Sequence, residues 1–266
     1  MLLEHGADPN AEVESSGNCM HIASTASMRE LLASYGGDYA DYEDLSQLPA
    51  PALRAVYGEA LPLRYYVQAG DIVQVAARLS EAPELAGEIL EYAVGRLDAA
   101  AGDIIQLCLS ADPSAAKRIH ANELIYMLHR LDPVQEQILT EQIHRLLQAG
   151  MIPNDADWLR VTALHRVAIG SQAHGSDGTE YRPHLEVMRL FIEGGADLNV
   201  KDEEYLSTPL GWAARWGRKE MVALLLEYGA RTNLSDDLPW TTPLSWAQKK
   251  GHADIEQRVR EEGATS

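Results

Sequence analysis

The sequence predicts an all-α solenoid of antiparallel helix pairs joined by hairpin-like loops, regular at its C-terminal end and degenerate in the centre. Three observations predict it. Ser207-Thr208-Pro209-Leu210-Gly211-Trp212-Ala213-Ala214 returns 34 residues later as Thr241-Thr242-Pro243-Leu244-Ser245-Trp246-Ala247-Gln248. Asn199 and Gly217 return at that same spacing as Asn233 and Gly251. A Pro followed eight residues on by Gly occurs as Pro62/Gly70, Pro209/Gly217 and Pro243/Gly251. A fixed period of this length is the mark of stacked supersecondary units, each resting on its neighbours.

Each element of the unit follows from local chemistry. Thr before Pro starts the first helix: the hydroxyl caps free amides, and Pro stands where a missing N–H costs nothing. Ala213 and Ala214 keep that helix thin, so that neighbouring units approach closely, and Gly217 breaks it. Met221, Val222, Leu224, Leu225 and Leu226 then give a second helix its apolar spacing. Tyr228-Gly229-Ala230 ends it, since glycine accepts the left-handed conformation of a helix C-terminus. The polar stretch from Asn233 to Trp240, with Asp236, Asp237 and Pro239, reads as an extended turn to the next unit.

This pattern resembles the ankyrin repeat, whose signature is Thr-Pro-Leu-His-x-Ala, two antiparallel helices, then Gly-Ala-Asp-x-Asn. The second half of the signature stands as Gly6-Ala7-Asp8-Pro9-Asn10 and Gly195-Ala196-Asp197-Leu198-Asn199, with weaker copies at Gly36-Gly37-Asp38 and Gly150-Met151-Ile152-Pro153-Asn154. The first half survives as Thr162-Ala163-Leu164-His165-Arg166-Val167-Ala168 and, more loosely, as Asn18-Cys19-Met20-His21-Ile22-Ala23.

The expected organisation is a single solenoid over residues 1–266. Units at 1–39 start in mid-repeat, because Met1-Leu2-Leu3-Glu4-His5-Gly6 reads as the tail of a second helix. Residues 40–60 are an irregular connection and 61–149 are degenerate repeats. In that middle part, Gly102–Leu109 looks like a second helix without a clear first half, and the spacing over 114–149 suggests a longer helical pair. Residues 150–266 are regular, with an insertion at 171–183 and a polar C-terminal cap. In the cap, Glu256, Arg258 and Arg260 occupy the places of Val222, Leu224 and Leu226.

The formal charge of −18 argues against a nucleic-acid partner and against attachment to an anionic membrane, both of which need a basic footprint. In the first fifty residues nine acids face one base, Arg29, whereas from Lys201 onward eleven acids meet nine bases. Cys19 and Cys108 are the only cysteines, and they suggest neither a disulfide framework nor a thiolate metal site. With no leader pattern and no spanning run, a cytoplasmic setting is expected.

Chemistry has one place to hide. Gly150 to Gly195 is 45 residues, eleven beyond the period, and the surplus lies around Ser171–Pro183. His165, His174, Asp177, Glu180 and His184 fall in or beside it, which raises a metal-dependent enzyme as one reading. No pair shows a rigid ligand spacing, and the resemblance assigns His165 to tying the hairpin backbone to the first helix. Neither a nucleophile elbow nor a phosphate-cradling loop is present. The expectation is therefore no catalytic residue, no metal and no cofactor.

The resemblance implies a protein–protein interaction scaffold that binds through hairpin tips and the groove of first helices. Rigid aromatics and Arg are the usual energetic anchors of interfaces, which selects Trp158, Tyr205, Arg215, Trp216, Leu238 and Trp240 as the partner-binding stripe. Packing of repeat against repeat is the competing reading for Trp216 and Trp240. Trp212 and Trp246, at a shared repeat position, read as core. The acidic hairpins Asp202/Glu203/Glu204 and Asp236/Asp237 point to a partner with a basic surface. The alternative function is a regulatory or targeting arm of a larger protein.

Overall fold

A computed structural model of the chain describes residues 31, 32, 34, 35, 61, 63–128, 130–170 and 182–264. The expected units at 1–39, the connection at 40–60 and most of the insertion, with His174, Asp177 and Glu180, lie outside the described residues. The chain divides into two compact units, residues 1–112 and 113–266.

In the first unit the described helices are α1 (Leu63–Ala69), α2 (Ile72–Glu81), α3 (Ala86–Ala93) and α4 (Ala99–Ala111). Asp71 caps α2 through Gln74 N at 3.1 Å, and Asp98 caps α4 through Ala101 N, also at 3.1 Å. Their apolar faces meet: Val67, Val75, Leu79, Ile89, Leu90, Ile104 and Ile105 are all buried. The stretch around Gly102–Leu109 does have a first-half partner, because α3 packs on α4. The sequence hides it, since α3 lacks the Thr-Pro start.

Among its described residues the second unit holds four further helix pairs. They are α5 (Ala121–Leu128) with α6 (Pro133–Gln148), α7 (Ala163–Ile169) with α8 (Leu185–Glu193), α9 (Pro209–Arg215) with α10 (Lys219–Glu227), and α11 (Pro243–Lys250) with α12 (Ala253–Glu261). The first helices pack side by side in the order α5, α7, α9, α11, and the second helices in the order α6, α8, α10, α12. Two helical layers enclose a core built from Leu164, Val167, Phe191, Leu210, Met221, Leu225, Leu244 and Ile255.

The starts of the first helices follow the predicted chemistry. Thr208 Oγ1 accepts from Gly211 N at 3.3 Å, and Thr242 Oγ1 accepts from Ser245 N at 3.1 Å. Gly217 ends α9 at φ +71°, where a Cβ would stand 2.7 Å from the His252 ring. On α12, Arg258 and Arg260 are exposed and pair with Glu262 and Glu256, while Val222, Leu224 and Leu226 of α10 are buried.

Candidate functional site

The loops leading into α7 and α9 share one internal design. Asp157 Oδ1 accepts from Leu159 N at 2.9 Å and Val161 N at 3.0 Å. Asp202 Oδ1 accepts from Glu204 N at 2.8 Å and Tyr205 N at 2.6 Å, and its Oδ2 accepts from Ser207 N at 3.0 Å. In both loops the residue two places before the helix-capping Thr takes a left-handed backbone, Arg160 at φ 57° and Leu206 at φ 51°. Each aspartate then reaches onto the helix that follows. Asp157 Oδ2 takes Nη2 of Arg166 at 2.5 Å, and Asp202 Oδ2 takes the indole N–H of Trp212 at 2.9 Å. Arg166 and Trp212 both stand four residues after the capping Thr, so one repeat position is gripped by one hairpin carboxylate.

A second lock joins successive units. His165 is fully buried; its Nδ1 accepts from Thr162 N at 3.2 Å and Thr162 Oγ1 at 2.9 Å, so Nε2–H donates to Ser207 O at 3.2 Å. Burial pushes its pKa down to about 4, which keeps the ring neutral. Ser207 Oγ donates to Thr241 O at 2.7 Å and accepts the indole N–H of Trp246 at 2.7 Å. These bonds cross from one hairpin to the next and hold the row of first helices in register.

Upon this frame sits a cluster of aromatic and basic side chains. The Tyr205 ring meets Trp212 edge-on at 5.6 Å and Trp246 at 5.9 Å, with the Tyr205 and Trp246 planes 85° apart. The Arg215 guanidinium lies in that corner, 4.1 Å from the Tyr205 centroid and 4.4 Å from that of Trp246, with Trp216 at 5.8 Å. Tyr205's phenol is raised above its ordinary value, first by its hydrogen bond with Glu204. Along the same row, Arg166 stands 4.3 Å over Tyr126 of α5, and Lys249 Nζ lies 5.1 Å from Trp246.

Of the six residues selected from the sequence, the structure gathers three. Tyr205, Arg215 and Trp216 form one cluster, with Trp216 39% exposed. Trp158 (84% exposed), Leu238 and Trp240 stand out from their own hairpin loops instead. Trp212 and Trp246 are buried, as their repeat position suggests. Sequence reasoning passed over Tyr126, Arg166 and Lys249, although a signal existed. The helices α7, α9 and α11 contain Arg166, Arg215, Lys249 and Lys250 and no acid, in a chain with 40 acids and 22 bases.

The acidic hairpins need a correction. Asp202 is 1% exposed and spends both oxygens on its own loop and Trp212, so it presents no charge to a partner. Asp236 and Asp237 hold Lys201 Nζ at 2.9 and 2.7 Å. Internal hydrogen bonds and ion pairs absorb these carboxylates, which leaves Glu203 and Glu204 as the exposed acids of that pair of hairpins apart from the paired Asp236.

The metal reading finds its described residues occupied. His184 is buried with Nδ1 2.7 Å from Glu136 Oε1, and its pKa is lowered by burial. Arg182 pairs with the same carboxylate at 3.3 Å and donates to Leu131 O at 2.7 Å. Among the described residues no group of three His, Cys, Asp or Glu side chains is arranged to hold a metal. Cys108 is buried and its thiol is pushed up to about 12, which leaves it un-ionised at neutral pH. Among the described residues no helix is long and apolar enough to cross a membrane.

The comparisons agree with the geometry of the second unit. A family model described as ankyrin repeats (3 copies) matches residues 137–236 and 176–264. No curated protein matches the chain. Ankyrin repeats are in general protein–protein interaction modules. Helix pairs in two layers, Thr-started first helices and the matching family model make residues 137–264 of this chain ankyrin repeats.

Proposed function

We propose that the chain is a noncatalytic scaffold that binds another protein across its first helices and hairpin tips, with Tyr205, Arg215 and Trp216 at the centre of the contact. The observation that carries this reading is the Arg215 corner. A guanidinium held against two perpendicular rings is pre-organised, so a partner that reaches it pays little ordering entropy. Trp216 beside it is large, rigid and exposed, the type of side chain that anchors interfaces. Trp158, Leu238 and Trp240 extend the apolar surface to the hairpin tips. The lock of His165, Asp202 and Ser207 behind them serves to hold the surface in one shape.

The test is affinity capture from native lysate with the wild-type chain and with the Arg215→Ala/Trp216→Ala variant, each captured protein being identified and quantified. A protein held by the wild type and lost by the variant supports the reading. Identical capture by both chains would reject this cluster as the interface.

A further inference from the structure

We propose that the face formed by α7, α9 and α11 takes an acidic segment of its partner, one in which carboxylates alternate with apolar residues. This rests on the reading above and names the chemistry of what is bound there. The chain's net charge of −18 points the other way, toward a basic partner, so the local arrangement has to carry the inference.

The charge on this face is segregated. α7, α9 and α11 together hold four bases and no acid, whereas the helices behind them mix both signs: Glu186, Arg189 and Glu193 on α8, then Lys219, Glu220 and Glu227 on α10. A base in the last turn of a helix also complements the helix dipole, and Arg166, Arg215, Lys249 and Lys250 all stand in such a turn. Dipole complementation alone would put bases at the ends of α8 and α10 too, and those ends have none. Arg145 of α6 and Arg258 and Arg260 of α12 do stand in last turns, but those helices also carry acids, so it is the absence of acids that sets α7, α9 and α11 apart.

Apart from Arg166, which holds Asp157, the bases of this face are also left without acids. Elsewhere in the second unit Lys201, Lys219, Arg258 and Arg260 each hold a carboxylate of the chain itself. Arg215, Lys249 and Lys250 pair with no carboxylate among the described residues, and the buried Arg215 Nε has no hydrogen-bond partner. In a chain with almost twice as many acids as bases, Arg215 and Lys249, both set against the Trp246 ring, form a complementary surface for an external anion. Stacking occupies the flat side of a guanidinium and leaves its in-plane N–H donors for a carboxylate, while the exposed Trp216 offers cover to apolar residues between the charges.

A protein segment fits this face better than a nucleic acid. Its carboxylates can be spaced to meet Arg215 and the Lys249/Lys250 pair, whereas a continuous phosphate backbone would run into the repulsion of the remaining surface.

The test uses fluorescently labelled decapeptides of alternating Glu and Leu, the same peptide with Lys for Glu, and a labelled single-stranded DNA of ten nucleotides. Each is titrated with the whole chain at low salt, and anisotropy is followed. The Glu-Leu peptide should bind in preference to both others and weaken as salt is raised. Arg215→Gln and the double variant Lys249→Gln/Lys250→Gln should each weaken it about tenfold, the loss expected for charge-assisted hydrogen bonds. Circular dichroism verifies that the variants stay folded, and the exposed lysine pair keeps the test open even if Arg215→Gln does not. Preference for the Lys-Leu peptide or for DNA would overturn the proposal, as would unchanged Glu-Leu affinity in both variants. A lysate partner that depends on Trp216 while the Glu-Leu peptide is ignored would overturn the acidic class and leave the binding face standing.

Discussion

The indole N–H of Trp212 donates to Asp202 Oδ2 at 2.9 Å, and both residues are buried. One carboxylate thus closes its own hairpin through three backbone amides and fastens that hairpin to the helix beneath Tyr205 and Arg215. Asp202→Ala would leave those amides and the indole unsatisfied, each at about 1–3 kcal/mol when buried, partly relieved by water entering the loop. We expect a loss of about 3 kcal/mol in urea denaturation. Asp202→Asn, which keeps an acceptor, should lose less.

Acid should loosen the chain through His165. Its pKa of about 4 when folded lies below the ordinary value of 6.5, so the unfolded chain binds the extra proton between those two values. Stability gained from keeping this ring neutral is full above pH 6.5 and falls as pH drops toward 4. His184, also lowered by burial, acts in the same direction. Denaturation midpoints measured from pH 7.5 to pH 4.5 should decline for the wild type. His165→Gln should be less stable at neutral pH and should decline less steeply.

Two glycines at the same repeat position should differ in their tolerance of a side chain. Gly217 and Gly251 have φ of +71° and +74°, so Ala at either carries left-handed strain of about 1–2 kcal/mol. At Gly217 the added Cβ would also meet the His252 ring at 2.7 Å, whereas at Gly251 nothing lies within 4 Å. Thermal denaturation should show Gly217→Ala as the more damaging change.

The two exposure classes of tryptophan should separate cleanly. Trp246 is 3% exposed and bonded to Ser207 Oγ, so Trp246→Ala should cost about 3–5 kcal/mol. Trp158 is 84% exposed, and Trp158→Ala should change stability by less than about 0.5 kcal/mol. Chemical denaturation of both variants checks the pair.

The starts and stops of the regular helices were legible because their causes are local. Thr208 and Thr242 cap amides three residues away, and Gly217 and Gly251 relieve the backbone at their own positions. Trp212 and Trp246 were legible as core because they recur at one repeat position. The pairing of α3 with α4 was not, because a degenerate unit keeps the apolar spacing and loses the punctuation.

By itself the sequence determined the period, the helix pairs of the last two units and the residue types offered along the first helices. Tertiary structure alone decided which charges are spent and which are available. Asp202 and Asp237 look like surface acids until the loop folds and Lys201 comes across from another unit. Arg215 looks like one base among 22 until Tyr205, ten residues before it, and Trp246, 31 residues after it, close around it. The physical reason is distance along the chain: a cap is written within one turn of helix, but a charge is cancelled or freed by whatever the stacking of repeats brings beside it.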